Sequence, residues 1–261
     1  MDLELITKQV CELSRNVGKF IKKERCGLTS DMIHFKGTNN LVSNIDIESE
    51  VQLIKGLNQI LPDCDILAEE SRPEHKTENL CWVIDPIDGT TNFVHGIPCY
   101  AISIALTKGK KVLSGVIYEI NQDECFYAWE NSHAYLNDEK IYVRDNTDLI
   151  HSLIATGFPY DSDMNLVGYI DIMTDIIKNT RGIRRLGSAA VDLAYVASGR
   201  FDGFYEVKLN PWDVAAGSLI VKCAGGHVCD FKGADDHIFG KSIIAGNLIT
   251  KEYLLELCRS Y

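Results

Sequence analysis

Asp85 and Asp88 stand three residues apart in the stretch 82–96, WVIDPIDGTTNFVHG, directly after the apolar residues Trp82, Val83 and Ile84. The apolar run reads as the end of a buried strand. Pro86 fixes its own φ, lacks an N–H and biases Asp85 away from helical geometry. The chain is therefore expected to turn after the strand, with two carboxylates at the turn. Gly89, Thr90, Thr91 and Asn92 follow, all small or polar. Gly89 lets the backbone approach a ligand closely. A helix or turn starting near it would point free N–H groups at an anion. Two bare carboxylates would repel a phosphate, and a divalent cation between them removes the conflict. The donors are all oxygens, with no Cys or His among them, which favours Mg²⁺ over Zn²⁺. The local chemistry is metal-assisted attack on a phosphate ester. An isolated D-x-x-D is usually a turn with Asp as turn former. The nine-residue run DPIDGTTNF is far more specific.

Other acidic groups lie far off in the chain. Ile66, Leu67 and Ala68 read as a short strand with Glu69, Glu70 and Ser71 as its polar end. A Glu pair on a loop is usually solvated charge. Asp213 follows Pro211 and Trp212 where a helix should begin. Asp there is normally a cap, although a capping carboxylate keeps lone pairs for a metal.

The run DPIDGTTNF resembles the first signature of the inositol monophosphatase family, the Mg²⁺-dependent, lithium-sensitive sugar phosphatases, and NPWDVAAG at 210–217 resembles its second. AEES at 68–71, LGSAA at 186–190 and FYE at 204–206 extend the likeness, whose order and spacing run from about residue 40 to 247. The resemblance implies a five-layered α/β/α/β/α sandwich with its site between two halves. It implies two Mg²⁺ ions, one among Glu69, Asp85 and the Ile87 carbonyl and one held by Asp85, Asp88 and Asp213. Glu70 would lie nearby, oriented by hydrogen bonds. Phosphate would take N–H groups near Gly89 and Thr90, and Thr90 with Glu69 would orient a metal-activated water and relay its proton. Gly187 and Ala189 match the family's backbone contacts to substrate, and Glu206 its contact to a sugar hydroxyl. Asp46 matches the Asp that closes an Asp-Leu-Val-Thr run in the family, but Asn40 and Ser43 depart from that run. A third ion would depend on this loop, and Asp46 could equally cap its own helix. Thr91 and Asn92 stand where the family's nucleotide phosphatases carry Lys-Glu. That points to inositol monophosphate as substrate, with fructose-1,6-bisphosphatase or histidinol-phosphate phosphatase activity as alternatives. Some family members instead bind RNA-polymerase antitermination complexes. A homodimer is also implied.

The composition is that of an ordinary globular chain, and an acidic enzyme acting on a phosphate would need local positive charge, which bound metal would supply. The chain has 261 residues, 46% of them hydrophobic, which is enough for a large core. A net charge of −11 argues against a general nucleic-acid surface. Nine cysteines without a C-x-x-C pair read as reduced thiols of a cytoplasmic protein. The first 25 residues mix charges with apolar positions, unlike a signal peptide, and no apolar run reaches the length of a membrane span. The seven histidines show no ligand spacing, no G-x-S-x-G surrounds Ser71, Ser103 or Ser188, and no P-loop occurs.

The elements that must position these groups follow from periodicity. Leu3, Ile6, Val10, Leu13 and Val17 predict a helix over 2–25. Residues 28–44 are less regular, with a polar, loop-like cluster from Lys36 to Asn40. A helix is expected from about Asp46. Strands at 100–107 and 112–119 around a Lys-Gly-Lys-Lys turn read as a hairpin, and 125–129 and short strands in 133–143 continue an antiparallel sheet. From there the pattern alternates: a strand at 153–157, a helix over 164–177, a helix from Gly187 to about Ser198, a strand at 201–207, a helix at 214–224, strands near Val228 and at 242–245, and a closing helix at 250–260. The reading is α/β in class (α+β taken whole), one unit over 1–261, with an α+β half to about 145 that carries the metal motif and an α/β half over 146–261. Arg184 and Arg185 are expected on the surface.

Overall fold

The structure is a computed structural model that describes residues 1–29, 32–37, 40–71, 79–158, 165–259 and 261. Thr38 and Asn39 of the polar cluster, most of the polar stretch 72–80 and Met164 at the expected helix start lie outside the described residues.

Helix α1 (Leu3–Arg25) starts at Asp2, whose carboxylate accepts from Leu5 N at 3.1 Å. Its apolar stripe of Ile6, Val10, Val17 and Ile21 is buried, as the helical spacing requires. The region expected to be irregular instead contains an antiparallel pair, β1 (Ile33–Gly37) and β2 (Asn40–Ser43). Helix α2 (Asn44–Ile60) begins two residues before Asp46. Ser43 is its N-cap and Asp46 completes a capping box.

One sheet has seven strands: β3 (Asp65–Ala68), β4 (Leu80–Asp88), β5 (Ala101–Lys108), β6 (Lys111–Glu119), β7 (Glu124–Trp129), β8 (Ala134–Leu136) and β9 (Glu139–Ile141), paired in that order. All pairs are antiparallel except β3 with β4. A second sheet has five strands: β10 (Leu153–Thr156), β11 (Gly182–Arg184), β12 (Gly203–Val207), β13 (His227–Cys229) and β14 (Ser242–Gly246), in the order β11-β10-β12-β14-β13. Helices α1 and α2 cover the outer face of the large sheet. Helices α5 (Ala189–Ala197) and α6 (Pro211–Cys223) fill the layer between the sheets, and α4 (Leu166–Asn179) and α7 (Leu248–Cys258) cover the outer face of the small one. This is the expected five-layered sandwich. Its three apolar clusters occupy the interfaces: Trp82 and Ile84 face α1 and α2, while Cys81 and Val83, on the alternate side of the same strand, face the middle layer.

Two expectations about element ends need correction, and one strand was not anticipated. β4 does not stop at Ile84 but runs on to Asp88. Its pairing with β5 shifts register between Asp85 and Asp88, where Pro86 has no N–H to give the ladder. Helix α6 starts at Pro211 rather than 214 because Pro suits the first helical position and Asn210 caps it. The three-residue edge strand β11 was too short to show a period.

The middle layer sits close against the large sheet because the facing residues are small. Ala101 and Ala105 line that face, and Ser103 Oγ between them donates to Trp212 O at 2.9 Å. A Cβ on Gly115 of β6 would lie 2.8 Å from Ala216 O of α6. Gly115→Ala must therefore push α6 away from the sheet and should cost about 1–3 kcal/mol of stability. Urea unfolding measures this, and a midpoint equal to wild type would show that the close approach is not needed.

Candidate active site

The parallel pairing of β3 with β4 brings two distant acidic stretches to one sheet end. Glu69 N donates to Ile84 O at 3.2 Å, so Glu69 emerges beside Asp85. Glu70 N donates to Glu50 Oε2 at 2.8 Å, which fixes the chain at the next residue. Past Ile84 the register shift lets Asp85 Oδ1 accept from Ile87 N at 3.0 Å. Gly89 then adopts φ +95°, and a Cβ there would lie 3.1 Å from Cys99 O and 3.2 Å from Gly187 O. Only glycine suits that position. It leads into α3 (Thr90–His95), whose start carries no side-chain cap.

Each acidic side chain is aimed by a local hydrogen bond. Asp88 Oδ2 accepts from Ser188 Oγ and Ala190 N, both at 2.6 Å, so the start of α5 holds it. Asp213 Oδ2 accepts from Asn210 N at 2.6 Å, the capping bond of α6. Asn92 Nδ2 donates to Leu186 O at 2.7 Å and ties α3 to the loop before α5. Thr90 Oγ1 lies 3.1 Å from Asp46 Oδ1 and 3.0 Å from Ile87 O, and its single proton serves one of them at a time. Asp46 thus caps α2 and also touches Thr90.

Asp85, Asp88 and Asp213 converge, with carboxylate oxygens within 4.8 Å of one another. Asp85 is 1% exposed and Asp88 8%. Burial pushes the proton affinity of Asp85 far up, and Glu69, then Asp88 and Asp213, add to it as like charges. Asp213 is raised in the same way by burial and Asp88. Asp88 is pushed up to about 6 by burial, with Ser188, Ala190 and Arg185 acting against it. A cation among these oxygens would reverse the repulsion. An all-oxygen, carboxylate-rich set suits a hard divalent ion.

A cavity of about 120 Å³ opens beside the cluster, lined among others by Asp88, Arg185, Gly187, Ala189, Glu206 and Asp213. Burial pushes Glu206 up to about 8, with Arg185 lowering and Asp88 raising it. The structure therefore gathers Asp85, Asp88 and Asp213 into one cluster, sets Glu69 against it, and places Gly187, Ala189 and Glu206 on the adjoining cavity. Arg184 and Arg185 are both exposed, as expected, and Arg185 in addition lines this cavity and lies 5.6 Å from the Phe158 ring centroid. Asp192 also lines the cavity, and the sequence reading passed over it. Its signal was a lone carboxylate in the otherwise apolar helix segment AAVDLAYVA.

Known proteins resemble the chain over nearly its whole length. The family model described as "Inositol monophosphatase family" matches residues 2–261. A protein named Nus factor SuhB from Pasteurella multocida is 42% identical over 221 residues, 84% of this chain and 83% of that protein. An inositol-1-monophosphatase from Mesorhizobium japonicum is 35% identical over 246 residues, 94% of this chain and 92% of that protein. Among solved structures, the extragenic suppressor protein suhB of Bartonella henselae superposes with a TM-score of 0.90 at 37% identity, covering 97% of this chain and 98% of that one. An IMPase from Thermotoga maritima gives 0.86 at 35% identity, covering 96% and 95%. With the whole chain matched and the acidic cluster assembled at the signature residues, the protein belongs to the inositol monophosphatase family.

Proposed function

We propose that this protein is a Mg²⁺-dependent phosphatase of polyol phosphate monoesters, with myo-inositol monophosphate as its leading substrate. The observation that carries this reading is the convergence of Asp85, Asp88 and Asp213 beside a cavity that holds Glu206. Glu69, Asp85 and the Ile87 carbonyl would hold one ion, and Asp85, Asp88 and Asp213 a second. A third would draw on residues 36–43, where Ser43 already spends its hydroxyl on Asp46. When bound, the ions supply positive charge that draws in the phosphate, acidifies water and offsets charge on the leaving oxygen.

The chain's own groups do the rest. The first amides of α3, after Gly89, receive phosphate oxygens. Thr90 Oγ1, with its proton engaged by Asp46, turns a lone pair to the attacking water and aligns it with phosphorus. As the water gives its proton to Thr90, Thr90 passes its own to Asp46, whose proton affinity burial has raised. Glu69 flanks this water. Asp46 thus joins Thr90 and Glu69 in the relay. Glu206 takes a hydroxyl of the sugar, while Gly187 and Ala189 bound it.

A second reading follows from the relatives named Nus factor SuhB: a binding partner in RNA-polymerase antitermination. Pull-down with purified polymerase tests it. Self-association belongs to the proposal as well, since α4 leaves Leu166, Val167, Ile170 and Ile177 exposed for a second copy to cover. All nine cysteines are free, which suits the cytoplasm, and no helix among the described residues is long and apolar enough to cross a membrane.

Phosphate release from inositol-1-phosphate, fructose-1,6-bisphosphate and histidinol phosphate, each with Mg²⁺ or EDTA, decides the activity. The expected result is Mg²⁺-dependent release led by inositol phosphate. Release led by another substrate moves the specificity, and none from any of them removes the phosphatase reading. Asp88→Asn should keep the fold and lower turnover by roughly 10²-fold or more, since even partners of metal ligands are worth 10–100-fold. Near-normal turnover would contradict the ligand role.

Protein without metal should also show a distinct pH dependence. Asp88 and Glu206 have folded-state values of about 6 and about 8, above their ordinary 3.8 and 4.5. Their contribution to stability is complete below the ordinary values and is lost as pH rises through 6 and 8. Cations restore it. The rise in melting temperature on adding Mg²⁺ should therefore be larger at about pH 8 than at about pH 5. Equal shifts at both would show that these carboxyls do not meet the ion's charge.

A further inference from the structure

Asp192 sits in the first turns of α5, 1% exposed, on a helix whose neighbours Ala189, Ala190, Val191, Leu193, Ala194 and Val196 are buried and apolar. A carboxylate is costly in such a setting unless it is hydrogen-bonded. Asp192 Oδ1 is buried and has no hydrogen-bond partner among the described residues. Asp192 does not cap its helix either. Ser188 is the N-cap, and its hydroxyl accepts from Val191 N. The Asp192 backbone N–H is satisfied by Ser188 O at 3.0 Å.

The neighbouring carboxylates have work that Asp192 lacks. Asp88 is bonded to Ser188 and Ala190, and Asp213 to Asn210. Asp192 lies outside the group of carboxylate oxygens that converge within 4.8 Å of one another. It shares the cavity wall with Glu206 and Arg185. Asp192 thus lines the cavity with a carboxyl left unpaired at Oδ1 among the described residues, and a donor from the cavity's occupant would suit it. In the proposed reading the phosphate lies at the acidic cluster, so the group that meets this wall belongs to the alcohol portion of the ester. An alcohol suits the place, since a hydroxyl both donates and accepts and so matches a carboxyl in either protonation state.

We propose that Asp192 is a specificity-determining residue whose carboxyl, together with Glu206, binds hydroxyls of the polyol portion of a phosphate monoester. The assignment rests on the phosphatase reading and adds to it a second polyol contact, contributed by α5 rather than β12. It makes selection for a hydroxyl-rich leaving group depend on two carboxyls on separate elements, held to one cavity.

The test compares inositol-1-phosphate with p-nitrophenyl phosphate, which has the ester but no polyol hydroxyls, on wild type, Asp192→Ala and Asp192→Asn. In Asp192→Ala the ratio of kcat/KM for the polyol ester over the aryl ester should fall about 10–100-fold, mainly through KM for the polyol ester. Asp192→Asn keeps the shape and one acceptor and should fall less, with a melting temperature at or above wild type because an unpaired carboxyl is gone. It also serves as the deciding variant where Asp192→Ala does not fold. A purely structural Asp192 would lower the melting temperature and reduce both activities together. A ratio within about threefold of wild type in the folded variants overturns the assignment and leaves the phosphatase reading intact. Wild type that cleaves neither ester overturns both.

Discussion

Three carboxylates held within reach of one another govern this structure. Asp85, Asp88 and Asp213 come from residues up to 128 apart in sequence, yet their oxygens lie within 4.8 Å. In water such a set would disperse. Here burial raises the proton affinity of each, and repulsion from neighbouring carboxylates adds to it at Asp85 and Asp213. The arrangement persists because each carboxylate is held by backbone or side-chain donors: Asp85 by the Ile87 amide, Asp88 by Ser188 and Ala190, Asp213 by the Asn210 amide. The scaffold stores an unfavourable electrostatic arrangement that a divalent cation would relieve.

The same economy governs the elements. Helix caps and site groups coincide: Asp213 closes the capping box of α6, Asp46 closes that of α2 and touches Thr90, and Ser188 caps α5 and holds Asp88. The small residues Ala101, Ala105 and Gly115 let α6 approach the sheet end that carries Asp85. Packing in the middle layer and geometry at the site are therefore one constraint. A residue that moves α6 outward also moves Asp213 away from its partners.

Much of this was legible in the chain. The 3.6-residue period gave α1 to within a residue, and the signature runs identified the acidic cluster and the five layers. Local punctuation was read less well. Pro86 predicts a turn, but on a strand end with no neighbour on one side a missing N–H costs little, so β4 continues. The β1–β2 pair was hidden under polar composition. Asp192 escaped because charge alone does not reveal its surroundings. It looks like a helix-face acid until tertiary structure sets it, beside the exposed Arg185, on the cavity of Glu206. In hindsight, a carboxylate in AAVDLAYVA was the one discoverable sign.

The most direct test of the account is calorimetric titration of Mg²⁺ into metal-free protein at neutral pH, repeated in buffers of different ionisation enthalpy. If the crowded carboxyls retain protons until a cation arrives, binding must release protons, and the apparent heat must vary with the buffer. Buffer-independent heat, or no binding, would contradict the claim that repulsion among Asp85, Asp88 and Asp213 prepares this site for a metal ion.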